Sequence, residues 1–328
     1  MKRKGNLFGI ICSIENLQLA YGKARKGKVN TYGVKLFEKH LDENLNRLNL
    51  ELMAGTYKTS EYSIFKIYEP KERIVYRLPF RDRVVHHAIM NVLEDLWVSV
   101  FTADTYSCIK GRGIHGVLKH LKRDLNDVEN TRYCLKMDVR KFYPTIDHSI
   151  LKQIVRKKIK DKQLLVLLDE IIDSAEGVPI GNYLSQFFAN LYLSYFDHWL
   201  KEEKGVKYYY RYADDMVILS ATKPFLHTLL AEITEYMQSK LNLELKHNYQ
   251  VFPVDARGID FVGYVFFHTH ILMRKSIKQR FCRRVAKLDK KSIEPKEYKK
   301  RICSYIGWAK HCNSKHLLKK LIKNEKIL

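Results

Sequence analysis

Alternating apolar and polar residues mark the first clear elements of this chain. Residues 61–80 (EYSIFKIYEPKERIVYRLPF) alternate on both sides of Glu69-Pro70, as the two strands of a β-hairpin do. Residues 81–101 instead repeat an apolar residue at every fourth position, which predicts an amphipathic helix. The chain therefore changes from strand to helix periodicity close to residue 80.

Three later stretches predict further strands. Residues 132–148 (RYCLKMDVRKFYPTIDH) predict a strand that ends in a turn at Pro144, followed by a helix with Asp147 as its N-cap. Residues 207–220 (KYYYRYADDMVILS) have two β-rich halves around a pair of aspartates, which predicts a second hairpin. Residues 259–267 (IDFVGYVFF) predict a single strand.

Helical patterns fill the intervals between these strands, so the sequence predicts an α+β fold. Residues 268–328 predict only helices, with Ser292 and Asn313 as N-cap candidates. We therefore expect a mixed domain over 1–267 and a basic helical domain over 268–328.

The charge of the chain indicates what kind of molecule it binds. The 328 residues carry a formal net charge of +23. The segment from Arg274 to Leu328 has 19 Lys and Arg against four acidic residues, so it holds 15 of the 23 excess charges. A charge imbalance of this size is typical of proteins that bind nucleic acid, although a merely soluble basic protein is the alternative.

Composition argues against a membrane protein and against a disulfide or zinc scaffold. The long uncharged stretch at 177–196 contains Pro, Asn, Ser and Gln, which are too polar for a lipid-facing helix. The six cysteines form no CxxC pair and no Cys/His cluster with zinc spacing. Scattered cysteines of this kind suit a reducing cytoplasm.

Three aspartates are the strongest candidates for chemistry. Asp138 ends one predicted strand, and Asp214 with Asp215 lies at the tip of the second hairpin. If the two strands are neighbours, the carboxylates meet at one end of a sheet. Two Mg²⁺ ions would then balance their charge and could serve phosphoryl transfer. The alternative is an ordinary Asp-Asp turn, since aspartate is common in turns.

Several blocks resemble one family in its order along the chain, the reverse transcriptases. YADD at 212–215 resembles their signature hairpin, and KMDVRKFYPTIDH at 136–148 resembles the strand with their first metal-binding aspartate. Further blocks resemble prokaryotic enzymes related to group II intron proteins; they are FRDRVVHHAI, GVPIGNYLSQFFANLYLSYFD, LNLELKH, IDFVGY and CSYIGWAKH. The resemblance covers about residues 60–312. It implies a right-hand polymerase, with fingers and palm over 1–267 and a helical thumb over 268–328.

The resemblance implies a role for each matching residue. Asp138, Asp214, Asp215 and the carbonyl of Val139 would bind two Mg²⁺ ions, for which Mn²⁺ is a possible substitute. Lys246 would assist the leaving pyrophosphate as a general acid, and the alternative is an ordinary surface lysine. The implied nucleotide-binding residues are Lys71, Arg73, Tyr143, Ile180, Gly181, Ser185 and Gln186. The implied primer grip is the hairpin of IDFVGY at 259–264, with Phe261, Gly263 and Tyr264.

Some of these roles have plain structural alternatives. Tyr143 stands where the family places the aromatic side chain that excludes a ribose 2′-OH, but it could be a core tyrosine beside Phe142. Lys71 and Arg73 would meet the triphosphate of a dNTP, but they could be solvated turn residues.

The block PIGNYLSQ indicates which group of reverse transcriptases the chain resembles. Many reverse transcriptases have glutamine where this chain has Ile180 and proline where it has Gln186. The form seen here resembles the enzymes of diversity-generating retroelements, which copy a template RNA into cDNA with errors at adenines for mutagenic retrohoming. That resemblance implies RNA and cDNA/RNA duplex as ligands, a basic accessory variability protein as partner, and a bacterial or phage origin. Alternatively, Ile180 is a neutral packing variant.

Other interpretations stay open. The chain could be a group II intron-like, retron or abortive-infection reverse transcriptase, although no VTG segment of the retron type occurs and the chain leaves no room for a nuclease domain after the thumb. It could also be an inactive RNA-binding scaffold, which the presence of all three aspartates argues against.

Overall fold

The computed structural model describes residues 3–68, 72–291 and 293–322. In these ranges the chain combines α-helices with antiparallel β-sheets, as the sequence predicts. It divides into two compact units, each assembled from segments that are far apart in sequence. The first unit consists of Met1–Ile109, Val139–Gly205 and Thr234–Leu245, and the second of Lys110–Asp138, Val206–Ile233 and Lys246–Leu328. The domain division predicted at residue 267 stays a prediction.

The helices are numbered in chain order. They are α1 Phe8–Cys12, α2 Ile14–Arg25, α3 Tyr32–Glu38, α4 Leu41–Met53, α5 Phe80–Val98, α6 Ile114–Asp124, α7 Phe142–Thr145, α8 His148–Arg156, α9 Lys162–Ile172, α10 Tyr183–His198, α11 Lys223–Leu241, α12 Val254–Arg257, α13 Lys275–Asp289, α14 Pro295–Ala309 and α15 Lys315–Leu321. A 3₁₀ turn at Glu129–Thr131 and a π-helical extension of α10 at Trp199–Glu203 complete the helical structure of the described residues.

The strands form three sheets. They are β1 Ser63–Ile67, β2 Arg73–Arg77, β3 Tyr133–Asp138, β4 Tyr208–Tyr212, β5 Asp215–Ser220, β6 Gln250–Pro253, β7 Ile259–Phe261, β8 Tyr264–Phe266 and β9 Ile271–Met273. The sheet orders are β1-β2, β4-β5-β3-β6 and β7-β8-β9, and all of the strand pairs are antiparallel.

The first unit is mainly helical and packs around α5. Helix α5 is present as predicted; of its apolar positions at helical spacing Val84 and Ala88 are buried, and Val92 and Leu96 are half-buried. Trp97 near its end is fully buried. Asn16 on α2 fixes the α2–α5 contact, because its amide nitrogen donates to the carbonyls of Ile11 (2.9 Å) and Ala88 (3.0 Å). These bonds satisfy a buried polar side chain that would otherwise be costly.

Two local predictions for the first unit are confirmed. β1 and β2 form the hairpin expected over 61–80, with Ile64 opposite Tyr76. Asp147 is the N-cap of α8, and its carboxylate accepts from the backbone N–H of Ile150 at 3.1 Å. The hairpin turn at 69–71 lies outside the described residues.

The long uncharged stretch at 177–196 forms most of α10, and its side chains are largely buried in the first unit. Its polar residues have internal partners: the Asn190 amide donates to the carbonyl of Ser107 at 2.8 Å. Within the described ranges, no helix combines the length and the apolar character that crossing a bilayer requires.

The second unit is built on the four-stranded sheet. The hairpin predicted over 207–220 is confirmed as β4 and β5, which join through a two-residue turn at Ala213 and Asp214. β3 lies between β5 and β6, and its residues Cys134, Leu135 and Met137 are buried.

The residue pattern alone predicts one strand over 259–267, but the structure has the hairpin that the resemblance at 259–264 implies. The chain reverses at Val262 and Gly263, so β7 and β8 form a tight hairpin. Both turn residues have positive φ angles, 43° and 90°, as turns of this kind require. A Cβ on Gly263 would lie 2.4 Å from the Trp308 ring, so only glycine fits there. A β-branched valine is unusual at positive φ, and it hid the turn from pattern reasoning.

The basic C-terminal segment contains α13, α14 and α15, as predicted, but the prediction of helices alone over 268–328 is wrong. Strand β9 lies in this range and pairs with β8, so its backbone is extended. The apolar faces of the helices form a small core that includes Phe281, Ile302 and Ile306. The proposal of Asn313 as an N-cap is wrong. Ser314 occupies the N-cap position of α15, and the Asn313 side chain instead accepts from the backbone N–H of Ile271 at 2.9 Å. Ser292, the other cap candidate, lies outside the described residues.

Candidate active site

Strand pairing in the second unit brings the three predicted aspartates to one end of the sheet. β3 and β5 are antiparallel neighbours, and Asp138 is directly opposite Asp215 in their register. Asp214 is the second residue of the turn between β4 and β5, next to Asp215 in the chain. Opposed residues in such a pair have Cβ atoms about 4.5–5.5 Å apart, so these carboxylates are close.

The turn that presents Asp214 is strained. Ala213 has φ = 56°, in the left-handed region that favours glycine. A residue held in such a conformation costs about 1–3 kcal/mol and persists only where its surroundings impose it. Here the two flanking strands impose it, because Tyr212 pairs with Asp215 and leaves only two residues to reverse the chain.

Burial and the charges of neighbouring carboxylates make Asp214 and Asp215 unusually hard to ionise. Burial, followed by the charge of Asp138, raises the pKa of Asp214 to about 6. Burial also raises the pKa of Asp215 to about 7, although Lys136 opposes the shift. Oδ1 of Asp138 and Oδ1 of Asp215 are buried without a hydrogen-bond partner. The positive charge and the hydrogen bonds around the cluster therefore compensate its carboxylates only in part.

Two lysines supply part of that compensation. Nζ of Lys246 donates to Oδ2 of Asp138 at 2.5 Å, and its backbone N–H donates to the Asp138 carbonyl at 2.8 Å. Nζ of Lys136 lies 3.9 Å from Oδ1 of Asp215 and donates to the carbonyl of Asp260. Asp138, Asp215 and Lys136 line one pocket of about 400 Å³.

Lys136 is a residue that sequence reasoning missed. A usable signal was present, since side chains two positions apart on a strand share a face, and Lys136 precedes Asp138 by two. Its proximity to Asp215 additionally depends on the pairing of β3 with β5, which the sequence pattern does not specify.

The donor set is suitable for Mg²⁺, but it is not assembled around a cation position. Carboxylate oxygens are the ligands Mg²⁺ prefers, and the two unpartnered Oδ1 atoms have no competing hydrogen bond. Nevertheless, the described ranges contain no group of three or more His, Cys, Asp or Glu side chains arranged to hold a metal ion. Val139, the predicted carbonyl ligand, is buried and forms a β-bridge with Leu245.

The predicted nucleotide-binding residues belong to the first unit, where β2 runs along the Ile180–Gly181 backbone. The N–H of Tyr76 donates to the carbonyl of Ile180 at 2.8 Å. Gly181 has φ = 125°, and a Cβ there would lie 2.1 Å from the Tyr76 carbonyl oxygen. Glycine is therefore required at 181 by the close approach of β2.

The neighbouring candidates differ in accessibility. Ser185 is buried, and its hydroxyl donates to the carbonyl of Pro179 at 2.6 Å, so it holds the loop before α10. Gln186 is exposed and Ile180 is half-buried. Together with the half-buried Tyr183, these are the side chains of the block PIGNYLSQ that are accessible to a ligand without rearrangement.

Tyr143 and Arg73 are also accessible. The Tyr143 side chain is partly exposed, its ring meets Phe142 edge-on at 5.5 Å, and its carbonyl accepts from the N–H of Val178 at 2.8 Å. Arg73 is exposed at the start of β2. Lys71 lies outside the described residues.

The predicted primer grip forms a turn rather than an exposed surface. Phe261 and Tyr264 are fully buried, and the Tyr264 hydroxyl donates to the Trp308 carbonyl at 3.1 Å. The Tyr264 and Trp308 rings are 5.1 Å apart. Of the three residues, only Gly263 lies in the turn itself, so a strand bound here would meet backbone rather than the two aromatic side chains.

Comparison with known proteins identifies the family. The profile of the reverse transcriptase (RNA-dependent DNA polymerase) family matches residues 68–266, which is more than half of the chain. The chain therefore belongs to the reverse transcriptase family. This membership and the relatives described next support RNA-directed DNA polymerase activity, as the sequence predicts.

The relatives include proteins encoded by group II introns. Protein YkfC of Escherichia coli K12 is 26% identical over 289 residues, covering 73% of this chain and 74% of YkfC. Group II intron-encoded protein LtrA of Lactococcus lactis is 25% identical over 177 residues, covering 50% of this chain and 29% of LtrA. Nuclear intron maturase 4 of Arabidopsis thaliana is 24% identical, covering 58% of this chain and 24% of the maturase. The chain thus spans less than a third of the last two.

A solved structure supports the fold. Telomerase from Candida albicans, in complex with a fragment of telomeric RNA, superposes with a TM-score of 0.51 at 11% identity, covering 78% of this chain and 58% of telomerase. At this identity the similarity concerns the fold alone.

Proposed function

We propose that this protein copies a template RNA into cDNA, adding dNTPs to a primer strand at Asp138, Asp214 and Asp215. The observation that carries the proposal is the pairing of Asp138 with Asp215 across β3 and β5, with Asp214 at the adjoining turn. A chain that uses these residues only as turn formers would have no need to bury unpartnered carboxylate oxygens.

Two Mg²⁺ ions, or Mn²⁺ in their place, fit the chemistry of this cluster. When bound, such ions stabilise the negative charge that develops on the attacking and leaving oxygens. Asp138, Asp214 and Asp215 would hold them through carboxylate oxygens, and Val139 through its carbonyl. The raised pKa values of Asp214 and Asp215 support this role, because a divalent cation supplies the positive charge that the cluster lacks.

Lys246 would hold a proton near the leaving group and keep Asp138 oriented. Its ammonium group already bonds to Oδ2 of Asp138, so the orienting role has direct geometric support. Tyr143 would exclude the ribose 2′-OH, and the remaining predicted nucleotide residues would contact the dNTP. The phosphates of the bound duplex would meet the basic helices of 268–328, which we propose as the thumb.

For the finer identity, we propose the reverse transcriptase of a diversity-generating retroelement, with errors at template adenines. Ile180 and Gln186 support it, and both side chains are accessible. An alkyl side chain at 180 removes a hydrogen bond worth about 0.5–1.5 kcal/mol, enough to change nucleotide discrimination several-fold. A basic accessory protein would be its partner. The similarity to LtrA favours the second candidate, a group II intron-like reverse transcriptase.

Primer extension tests the general function. The purified protein should extend a DNA primer on an RNA template with dNTPs and Mg²⁺, and Asp214→Asn should abolish the product. Asp42→Asn is the control, because Asp42 is an exposed carboxylate in the first turn of α4 and should leave extension unchanged. No extension by the wild-type protein, or equal extension by Asp214→Asn, would contradict the proposal.

Sequencing of the cDNA tests the finer identity. Wild-type protein should misincorporate mainly opposite template adenines, and Ile180→Gln should reduce those errors. Ile180→Leu is the control, because it keeps an alkyl group of similar volume and should keep the errors. Low, base-independent error rates in the wild type would favour the group II intron-like alternative instead.

A further inference from the structure

A basic pocket of about 560 Å³ lies in the second unit between α6, β9 and the turn that joins α14 to α15. It shares no residue with the pocket beside the aspartates. Lys122 lines it from α6; Lys310, His311, Lys315 and His316 line it from the turn and α15. None of the described residues that line it is Asp or Glu.

The turn that carries most of these side chains is held in place. The N–H of Asn313 donates to the carbonyl of Ile271 at 2.8 Å, and the N–H of Ile271 donates to Oδ1 of Asn313 at 2.9 Å. The hydroxyl of Ser314, which is buried, donates to the carbonyl of Ala309 at 2.6 Å. Because the backbone is already ordered, binding a ligand here costs little loop entropy.

The lysines of the pocket have no counter-charge of their own. Within 3–68, 72–291 and 293–322, no carboxylate lies within 4.0 Å of the ammonium groups of Lys122, Lys310 or Lys315. Other basic residues of the unit do have such partners, for example Arg274 with Asp260. Several positive groups that face one cavity without a carboxylate make that cavity attractive to an anion.

His311, in the turn between α14 and α15, is likewise surrounded by basic side chains. The His311 ring lies 4.2 Å from the His115 ring of α6, measured between centroids. The pKa of His311 is lowered by burial and then by the charges of His115 and Lys310, so its neighbours disfavour a further positive charge. A bound anion would reverse that effect.

The lining also indicates which part of a polyanion fits. No Phe, Tyr or Trp is among the described lining residues, whose rings are the small imidazoles of His311 and His316, so the pocket offers little stacking surface for a base. Lysine ammonium groups and histidine N–H groups are suited to phosphate oxygens. The segment that contributes most of the lining also carries most of the chain's excess positive charge.

We propose that this pocket binds a backbone phosphate of a nucleic-acid strand, at a position separate from the three aspartates. The inference rests on the proposed function only for the class of ligand, since a reverse transcriptase holds RNA and DNA strands. Because phosphates are contacted rather than bases, binding through this pocket is independent of sequence.

His311 makes the contact dependent on pH. The charged or titratable groups around it are His115 and Lys122 from α6, with Lys310, Cys312, Lys315 and His316 from the turn and α15. Phosphate favours the protonated imidazole of His311 and opposes the lowering of its pKa, so binding strengthens as pH falls.

Binding of a fluorescein-labelled single-stranded RNA of mixed sequence tests the proposal. The test variant changes Lys122, Lys310 and Lys315 together to Gln. The control changes Lys119, Lys319 and Lys320 to Gln, which removes the same charge from exposed positions on the same two helices outside the pocket. A third variant changes the three pocket lysines to Arg. Thermal unfolding checks that all of them fold.

The test variant should bind about tenfold more weakly, with the slope of log K against log salt reduced by about 0.7–1.4, as expected for one or two lost phosphate contacts. The control should lose less than about threefold, because its three lysines do not line the pocket and would not contact a phosphate bound there. The Arg variant should bind like the wild type. Equal losses in the test variant and the control would overturn the proposal, as would unchanged binding by the test variant.

The pH arm compares the wild type with a variant carrying His311→Gln and His316→Gln. The wild type should bind about fivefold more tightly at about pH 6 than at about pH 8, and the variant should lose most of that gain. An unchanged gain would remove the histidines from the site. A wild type that binds no RNA would overturn both this inference and the proposed function. If the wild type binds RNA and extends primers, but the test and control variants lose RNA affinity equally, this inference alone is overturned.

Discussion

Gly181→Ala is the substitution with the sharpest structural consequence in the first unit. The added methyl would lie 2.1 Å from the Tyr76 carbonyl oxygen, where a normal contact needs more than 3 Å. The atom it meets belongs to the backbone of β2, so no side-chain rotation relieves the clash. An alanine at φ = 125° is strained in addition.

The magnitude follows from three contributions. Backbone strain at 181 costs about 1–3 kcal/mol. Overpacking against β2 costs about another 1–3 kcal/mol. If β2 moves away to relieve both, the bond from the Tyr76 N–H to the Ile180 carbonyl is lost, at about 0.5–1.5 kcal/mol. Moving β2 is the less costly response, because the two-stranded β1–β2 hairpin is largely exposed and marginally stable by itself.

We therefore expect Gly181→Ala to release the hairpin while the rest of the unit stays folded. Hydrogen–deuterium exchange should show faster exchange over 63–67 and 73–77 and little change in α5. Primer extension should show a raised apparent KM for dNTPs if the hairpin contacts the nucleotide. Gly22→Ala is the control, since Gly22 is an exposed helical position with no atom within 4 Å of its Cβ position. Unchanged exchange in the hairpin would refute the reasoning.

Three further outcomes are expected. Lys246→Met should lower kcat by about 10²-fold and leave the KM for dNTPs nearly unchanged, because the lysine contacts Asp138 and would act on the leaving group. Lys246→Arg should restore part of the rate. An equal change in kcat and KM in steady-state primer extension would contradict this role. Tyr143→Ala should allow ribonucleotide incorporation while Tyr143→Phe keeps dNTP preference, and strict preference in both would reject the proposed gate. Burial, followed by the charges of His87 and Arg83, lowers the pKa of His86 to about 3. This histidine therefore contributes stability that is complete above its unfolded-state pKa of about 6.5 and is lost as pH falls toward the folded value, about 2 kcal/mol by about pH 5. His86→Leu should flatten that part of the pH dependence of the urea midpoint, and an unchanged pH dependence would show that His86 is not responsible.

Local pattern was sufficient wherever one element determines its own conformation. The alternation over 61–80, the fourfold spacing after residue 80 and the capping aspartate at 147 each encode a local structure, and each is present. The errors of the local pattern, at 259–267, at 271–273 and at Asn313, arise where distant contacts override local preference. Val262 adopts a positive φ in the turn beside Trp308, and Asn313 bonds to Ile271 rather than capping α15.

Some residues of the candidate site could likewise be predicted from local sequence, and others could not. Asp138, Asp214 and Asp215 could be singled out from sequence, because burying an unpaired carboxylate in an apolar strand costs free energy. Lys136 beside Asp215, the contact of β2 with Gly181 and the basic pocket around His311 could not, since each joins segments far apart in the chain.

By itself, the sequence determined the identity of the elements, the positions of the chemically active side chains and the family to which they belong, because these depend on neighbours within a few residues. The tertiary structure alone decided which strand lies beside which, and therefore which carboxylate meets which lysine and where glycine is obligatory. Strand pairing is set by the summed burial and hydrogen bonding of distant segments, and no short window of residues contains that sum.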